Sequence, residues 1–280
     1  MHINYPDFWH QLAPIYGERE AKAIAELVYE RRYGLSRVDL IMGRDKEVPH
    51  DELRQLLERL THHEPVQYVL GEAEFCGRLF HVEPGVLIPR PETEELCRLI
   101  LHAPPSTGHP SRTTLLDIGT GSGCIAITLA LELADCHVTA WDISPDALRI
   151  AHDNARRLGA EVNFVHHDIL RQSYQVAPQW DIIVSNPPYI CESEAADMAP
   201  NVLDYEPAMA LFVPDDDPLQ FYRPIMNYAQ SALHPGGHLY LETNPLYEEF
   251  IEDNLLELGF DTVDAVDDQY GKTRFIDAQR

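Results

Sequence analysis

Five consecutive residues, Ser185-Asn186-Pro187-Pro188-Tyr189, carry the most specific chemistry in the chain. Amide and aromatic amino nitrogens are poor nucleophiles because their lone pair is delocalised. A site that makes them react must turn that pair toward an electrophile. The side-chain carbonyl of Asn186 and an adjacent backbone carbonyl can accept both N–H groups of such a nitrogen and orient it. The two prolines remove competing N–H donors and restrict the backbone, so the carbonyls point one way. Tyr189 offers a ring to stack on a planar acceptor. Asn-Pro-Pro is also ordinary turn chemistry, and its place in the fold must separate the two readings.

A second cluster, Asp117-Ile118-Gly119-Thr120-Gly121-Ser122-Gly123, follows a short apolar run and precedes a helical one. Glycines at alternate positions let a backbone turn tightly and come close to a ligand, and the next helix presents amide donors. A dinucleotide loop spaces its glycines G-x-G-x-x-G; here the third comes one residue early. Asp117 suits a cationic ligand end, such as the amino group of S-adenosylmethionine, better than a phosphate. Asp142 lies nineteen residues beyond Gly123, where a carboxylate can accept from both hydroxyls of a ribose. Asp168 is placed to accept from an adenine amino group, with Ile169 packing on the ring. Each acid alone also reads as a solvated strand end; their succession after the glycine turn favours a ligand.

The elements that must hold these residues follow from periodicity. Short apolar runs at 114–118, 137–141, 162–165, 181–185 and 238–242 alternate with helical stretches at 124–133, 147–158 and 219–233. That is a doubly wound α/β layout with a mostly parallel sheet, in which ligands bind beyond the carboxyl ends of the strands. Runs at 262–266 and 274–278, in hairpin-like spacing, predict antiparallel strands at one edge. Ahead of the sheet, 17–33 and 51–60 show helical spacing, and 72–88 reads as a hairpin. The resulting domains are a helical one over 1–70, a β-hairpin connector over 71–90 and a catalytic domain over 91–280. Residues 101–112, rich in Pro, Ser, His and Gly, read as a loop leading into the sheet.

With 46 acidic and 21 basic residues among 280, the formal net charge is −25. Such a chain repels a phosphate backbone and has no basic surplus to release counterions, so direct nucleic-acid binding is not expected. Five cysteines without a CxxC pair give no disulfide framework or metal cage. His62-His63 and His166-His167 are adjacent pairs that point apart, and no metal is expected. Neither a leader nor a membrane span is read, and the expected location is cytoplasmic. Oligomeric state is not legible; a monomer is the default.

The glycine cluster, Asp142 and Asn186 to Tyr189 together resemble the class I S-adenosylmethionine-dependent methyltransferases, which have a Rossmann-like fold. Pro65-Val66-Gln67-Tyr68, Gly71-Glu72-Ala73-Glu74-Phe75, Leu87-Ile88-Pro89-Arg90-Pro91-Glu92-Thr93-Glu94 and Glu206-Pro207 narrow the resemblance to the HemK/PrmC peptide chain release factor glutamine methyltransferases. The resemblance implies methylation of the glutamine side-chain amide nitrogen in the Gly-Gly-Gln motif of class I release factors. The donor would be S-adenosyl-L-methionine and the product S-adenosyl-L-homocysteine. It assigns Gly119, Gly121, Gly123, Asp142 and Asn186 to the donor, and Asn186, Pro187, Pro188 and Tyr189 to the glutamine. Ile169 departs from the larger aromatic frequent after the third-strand acid, and Asn244 from a common glycine. Arg90 and Glu92 are expected either to help close the substrate pocket or to form an interdomain ion pair or turn. A ribosomal-protein glutamine methyltransferase and an adenine-amino methyltransferase of DNA or RNA are the alternatives; the 89–94 run weighs against the first and the net charge against the second.

Overall fold

The computed structural model describes residues 3–102, 112–174 and 176–280. They form two compact units, one comprising the chain up to Glu72 with Met198–Tyr205, the other Ala73–Asp197 with Glu206–Arg280.

The first unit is helical. Helix α1 (Tyr5–Tyr16) starts where the Asn4 side chain accepts from the Asp7 amide at 2.8 Å, and α2 (Glu18–Tyr33) ends on left-handed Gly34. Three more follow: α3 (Arg37–Ile41), capped by a reciprocal Ser36–Asp39 box, α4 (His50–Thr61) and α5 (Val66–Leu70). Helix α1 lies outside the periodicity read from the sequence. Its two prolines disguise it: Pro6 sits in the first turn, where the missing N–H is an orphan anyway, and Pro14 in the last. Phe8, Leu12, Val28, Tyr29, Leu53 and Leu60 form the core. The Arg59 guanidinium donates to the carbonyls of Tyr68 and Val69 at 3.1 Å each, capping α5. Tyr205, from the later segment, donates to the His62 carbonyl at 2.7 Å.

The second unit opens with a hairpin, β1 (Glu72–Phe75) and β2 (Arg78–His81), whose two turn residues Cys76 and Gly77 both have positive φ, 48° and 71°. That pair of left-handed residues matches the right-handed twist of the flanking strands. Then come α6 (Pro91–His102), β3 (Thr113–Ile118), α7 (Cys124–Glu132), β4 (Cys136–Asp142), α8 (Pro145–Leu158), β5 (Val162–His166) and β6 (Trp180–Ser185). A short parallel pair, β7 (Ile190–Cys191) and β8 (Phe212–Val213), brackets α9 (Pro200–Leu203) of the helical unit. The chain closes with α10 (Tyr222–Ala232), β9 (Leu233–Glu242), α11 (Glu248–Leu258), β10 (Thr262–Asp267) and β11 (Thr273–Gln279).

The seven-stranded sheet runs β10-β11-β9-β6-β3-β4-β5. Its five inner-numbered strands from β3 to β9 are parallel, while β11 pairs antiparallel with both β9 and β10. This is the doubly wound, mostly parallel layout that the alternation predicts, with the antiparallel edge. Successive side chains explain the two layers of helices. Leu115, Ile182, Val184 and Tyr240 face the layer containing Leu96, Ile100 and Leu129, whereas Leu116, Ile183, Leu239 and Leu241 face Tyr222, Ile225, Ile251 and Leu255. The loop read over 101–112 begins later than expected, because Leu101 and His102 complete the last turn of α6; 103–111 lie outside the described residues. The helix read over 219–233 starts at Tyr222, which puts Pro224 in its first turn, and gives up Leu233 to β9. No helix among the described residues is long and apolar enough to cross a membrane.

Ile183, fully buried at the centre of β6, is expected to contribute about 2–5 kcal/mol. Urea denaturation of Ile183→Ala should show that loss; a change below about 0.5 kcal/mol would contradict the two-sided packing of this strand.

Candidate functional site

In the sheet order β3 is flanked by β4 on one side and β6 on the other, so the chain reverses direction of travel between β3 and β6. A crevice opens there beyond the strand ends. Ser185 closes it at the bottom by donating to the Ile118 carbonyl at 2.7 Å, which locks the tip of β6 onto the tip of β3. The cavity has a volume of about 420 Å³, within the range of small-molecule sites. Gly119, Gly121, Asp142, Asp168, Ile169, Asn186, Pro187 and Pro188 are on its wall.

The glycine loop is held from below and from the side. The amides of Gly119 and Thr120 both donate to the Trp141 carbonyl at 2.9 Å. Gly119 and Gly121 have φ of 78° and 57°, and a Cβ at either would meet nothing within 4 Å. The loop therefore keeps an open cradle along the wall. At Gly123, with φ 83°, a Cβ would come within 2.8 Å of Ile127 Cδ1 and 3.1 Å of Ala151 Cβ. That glycine serves the packing of α7 on α8. Asn154, fully buried on α8, donates to the carbonyls of Ser122 and His81 at 2.9 Å and accepts from the His81 amide at 2.7 Å. It clamps the loop to the hairpin. Sequence reading missed it, although a polar residue on the apolar stripe of Ala147, Ala151 and Ala155 was the available signal.

Asp117 is not on the cavity wall. It lies beneath the loop, fully buried, where Oδ2 accepts from the Thr120 hydroxyl at 2.6 Å and Oδ1 has no partner. Burial pushes its carboxyl up to about 7, against the pull of Thr120. Asp117 thus holds the loop through Thr120. Thr120, Ser122 and Gly123 are likewise behind the wall. Asp142 does reach it. Its Oδ2 accepts from the Gly121 amide and its Oδ1 from the Ser144 amide, each at 2.8 Å. Burial raises this carboxyl, and those amides oppose the shift. Asp168 Oδ1 accepts from the Leu170 amide at 3.0 Å, and Oδ2 faces Arg171 Nε at 3.2 Å.

Across the cavity, Asn186 is held by its nitrogen. Nδ2 donates to Thr93 Oγ1 at 3.1 Å, and the Thr93 hydroxyl donates to Glu242 Oε2 at 2.8 Å. The Tyr189 hydroxyl donates to Glu242 Oε1 at 3.0 Å, which fixes the far end of its ring. Glu242, 1% exposed at the end of β9, is pushed up to about 7 by burial, while the hydroxyls of Thr93 and Tyr189 and the charge of Arg274 favour its ionised form. Asn244 Nδ2 donates to the Tyr189 carbonyl at 3.2 Å and to Glu194 Oε2 at 3.1 Å, pinning the turn from behind. Thr93, Glu242 and Asn154 escaped the sequence reading because each acts on another residue rather than on the cavity. The apolar wall formed by Trp141, Met209, Phe221 and Ile225 escaped it for want of a periodic pattern.

Arg90 and Glu92 are off the cavity wall too. Arg90 Nη2 meets Glu206 Oε1 at 2.6 Å, and Glu206 Oε2 accepts from the Ile88 amide at 3.0 Å. Both partners belong to the second unit, so the ion pair is not an interdomain one. Glu92 occupies the first turn of α6, where its charge suits the helix dipole. Among the described residues, no group of three or more His, Cys, Asp or Glu side chains is arranged to hold a metal ion.

Comparison with known proteins bears on this geometry. The Methyltransferase small domain model matches residues 95–204, and the PrmC N-terminal domain model matches 10–71. A protein of Bacteroides thetaiotaomicron named release factor glutamine methyltransferase is 46% identical over 274 residues, covering 96% of both chains. The chain belongs to the release factor glutamine methyltransferase family. A Flavobacterium psychrophilum member of that name is 39% identical over 96% of this chain and 95% of its own. A crystal structure of a methyltransferase from Pyrococcus furiosus shares the fold, with a TM-score of 0.51 and 19% identity over 81% of this chain and 96% of that one. The family's members are methyltransferases, and the sheet, crevice and glycine loop described above are this chain's version of that fold.

The Glu206 side chain is 1% exposed and the Arg90 side chain 32%. Arg90→Ala should therefore leave a buried carboxylate with only the Ile88 amide, at a cost of about 2–3 kcal/mol, below the value for a fully buried pair because Arg90 is partly solvated. Denaturant titration checks this, and Arg90→Lys should recover only part of the loss.

Proposed function

We propose that this chain transfers a methyl group from S-adenosyl-L-methionine to the side-chain amide nitrogen of the glutamine in the Gly-Gly-Gln motif of class I peptide chain release factors, leaving S-adenosyl-L-homocysteine. The observation that carries the reading is the arrangement of Asn186. Its Nδ2 is taken by Thr93, so Oδ1 is the amide atom left to serve a ligand in the cavity. Family membership, at up to 46% identity over nearly the whole chain, supplies the substrate class.

The residues present fit the donor. Gly119 and Gly121 leave an open cradle, and Asp142 spends one lone pair of each oxygen on an amide, keeping others for the two hydroxyls of a ribose. Ile169 and Ile143 offer apolar surface for an adenine ring, with Asp168 beside them for its amino group. S-adenosylmethionine, when bound, supplies an electrophilic methyl group on a sulfonium sulfur. Asn186 Oδ1 and a neighbouring backbone carbonyl accept the two N–H groups of the glutamine carboxamide, which aims the nitrogen lone pair. Pro187 and Pro188 hold that backbone, and the apolar wall excludes water that would compete for the same N–H groups. No strong general base is needed for the attack, because alignment does most of the work; the methylated nitrogen sheds one N–H proton to solvent as the sulfonium becomes a neutral thioether. The reading places the chain in the cytoplasm with its substrate and requires no direct contact with nucleic acid, in keeping with a net charge of −25.

Purified protein and labelled donor, offered a release factor, its Gln-to-Ala form at Gly-Gly-Gln, a ribosomal fraction and duplex DNA, test the proposal. Label should appear on the unaltered release factor alone; label on the Gln-to-Ala form, or only on DNA, overturns it. Asn186→Ala should lower kcat by about 100-fold while the donor's Kd, measured by calorimetry, stays within about threefold. Asp142→Ala should instead weaken donor binding about 10- to 100-fold, the value of losing charge-assisted hydrogen bonds.

A further inference from the structure

Glu242 and Thr93 carry no role in the proposal above, yet they sit directly behind its central residue. We infer that Glu242, acting through the Thr93 hydroxyl, is a positioning residue that decides which end of the Asn186 amide faces the acceptor. The inference rests on Asn186 being the group that receives the glutamine N–H.

An amide has two ends of nearly equal shape, one accepting and one donating, and packing alone does not tell them apart. In its ionised form, which the Thr93 and Tyr189 hydroxyls and Arg274 favour, the Glu242 carboxylate only accepts. Glu242 takes the Tyr189 hydroxyl on Oε1 at 3.0 Å and the Thr93 hydroxyl on Oε2 at 2.8 Å. The single proton of Thr93 is therefore committed to Glu242. Its Oγ1 is then left as an acceptor toward Asn186, and only the Nδ2 end can satisfy it, at 3.1 Å. The polarity of the chain runs from the buried acid outward and delivers Oδ1 to the cavity. Without an acceptor at 242, the Thr93 proton would turn to Asn186 and call for Oδ1 instead, leaving an NH₂ group facing the NH₂ of the substrate. Thr93 and Glu242 are both almost wholly buried, 2% and 1% exposed, so the polarity of their hydrogen bond is set by the two groups themselves.

Thr93→Val, Thr93→Ser, Glu242→Leu and the Thr93→Val/Glu242→Leu double variant test the inference beside the wild type. In each, kcat and KM for release factor methylation are measured, together with donor affinity by calorimetry and the melting temperature. Thr93→Ser should keep kcat within about threefold, while Thr93→Val and Glu242→Leu should each lower it about 10- to 100-fold with donor affinity unchanged. Because the two act as one chain, the double variant should be no slower than the worse single one. Wild-type kcat in Thr93→Val, equal loss in Thr93→Ser and Thr93→Val, or multiplicative losses in the double variant would each overturn the inference. Should Glu242→Leu fail to fold, the Thr93 pair alone decides. If the wild type itself leaves the release factor glutamine unlabelled, the functional reading falls, an outcome distinct from any of these.

Discussion

The site is organised by two carboxylates that never touch its cavity. Asp117 lies beneath the glycine loop and Glu242 beneath the Asn186 turn, both essentially without solvent contact. A buried carboxylate is costly unless its lone pairs are met by donors. Each therefore gathers hydroxyls: Thr120 for Asp117, and Thr93 and Tyr189 for Glu242. The groups so gathered belong to the segments that form the cavity wall. Desolvation raises both carboxyls to about 7, a measure of how strongly the local donors are needed.

These polar knots work because the sheet brings their segments together. The β3–β6 pairing sets Ile118 opposite Ser185, so the residues that follow each strand emerge side by side. Asn154 then ties the glycine loop to the hairpin, and Glu206 ties Arg90 to the Ile88 amide. The cavity is thus framed by side chains anchored in regular elements, even though most of its wall is loop. That arrangement combines exposed backbone at the ligand with rigidity behind it.

Short apolar runs alternating with helical stretches, together with the glycine spacing, made the sheet and its crevice legible in the sequence, because strands buried on both faces read as continuous apolar runs. Asn186 stood out by position: Asn-Pro-Pro alone is ordinary turn chemistry, but here it follows a strand expected to end at the same crevice as the glycine loop. The orientation of Tyr189 was not legible. Its hydroxyl donates to the buried acid on β9, fifty-three residues away, a partner that no local pattern announces. The burial of Asp117 was not legible either, because an acid at a strand end reads the same whether it faces the cavity or the underside of its own loop. Helix α1 was hidden by prolines whose harmlessness depends on their lying in the terminal turns.

On the proposed reading, the acceptor side of the cavity is lined by two prolines, apolar side chains and the Asn186 carbonyl. Apolar walls discriminate weakly between ligands of similar size, since an added or missing methylene changes binding by only about 1–3 kcal/mol. A carbonyl in such surroundings discriminates strongly. An acceptor that brings an N–H satisfies it, whereas an ester, thioether or hydrocarbon of the same shape leaves it desolvated and unpaired. On the proposed reading, selection for a planar NH₂ group comes from two oriented oxygens, Asn186 Oδ1 and the neighbouring backbone carbonyl, and the apolar wall raises the penalty for leaving them empty. Side-chain amides and exocyclic amino groups meet this requirement alike. Discrimination between them has to come from the polymer that carries the NH₂ group, and a chain with a formal charge of −25 disfavours the one whose backbone is a line of phosphates.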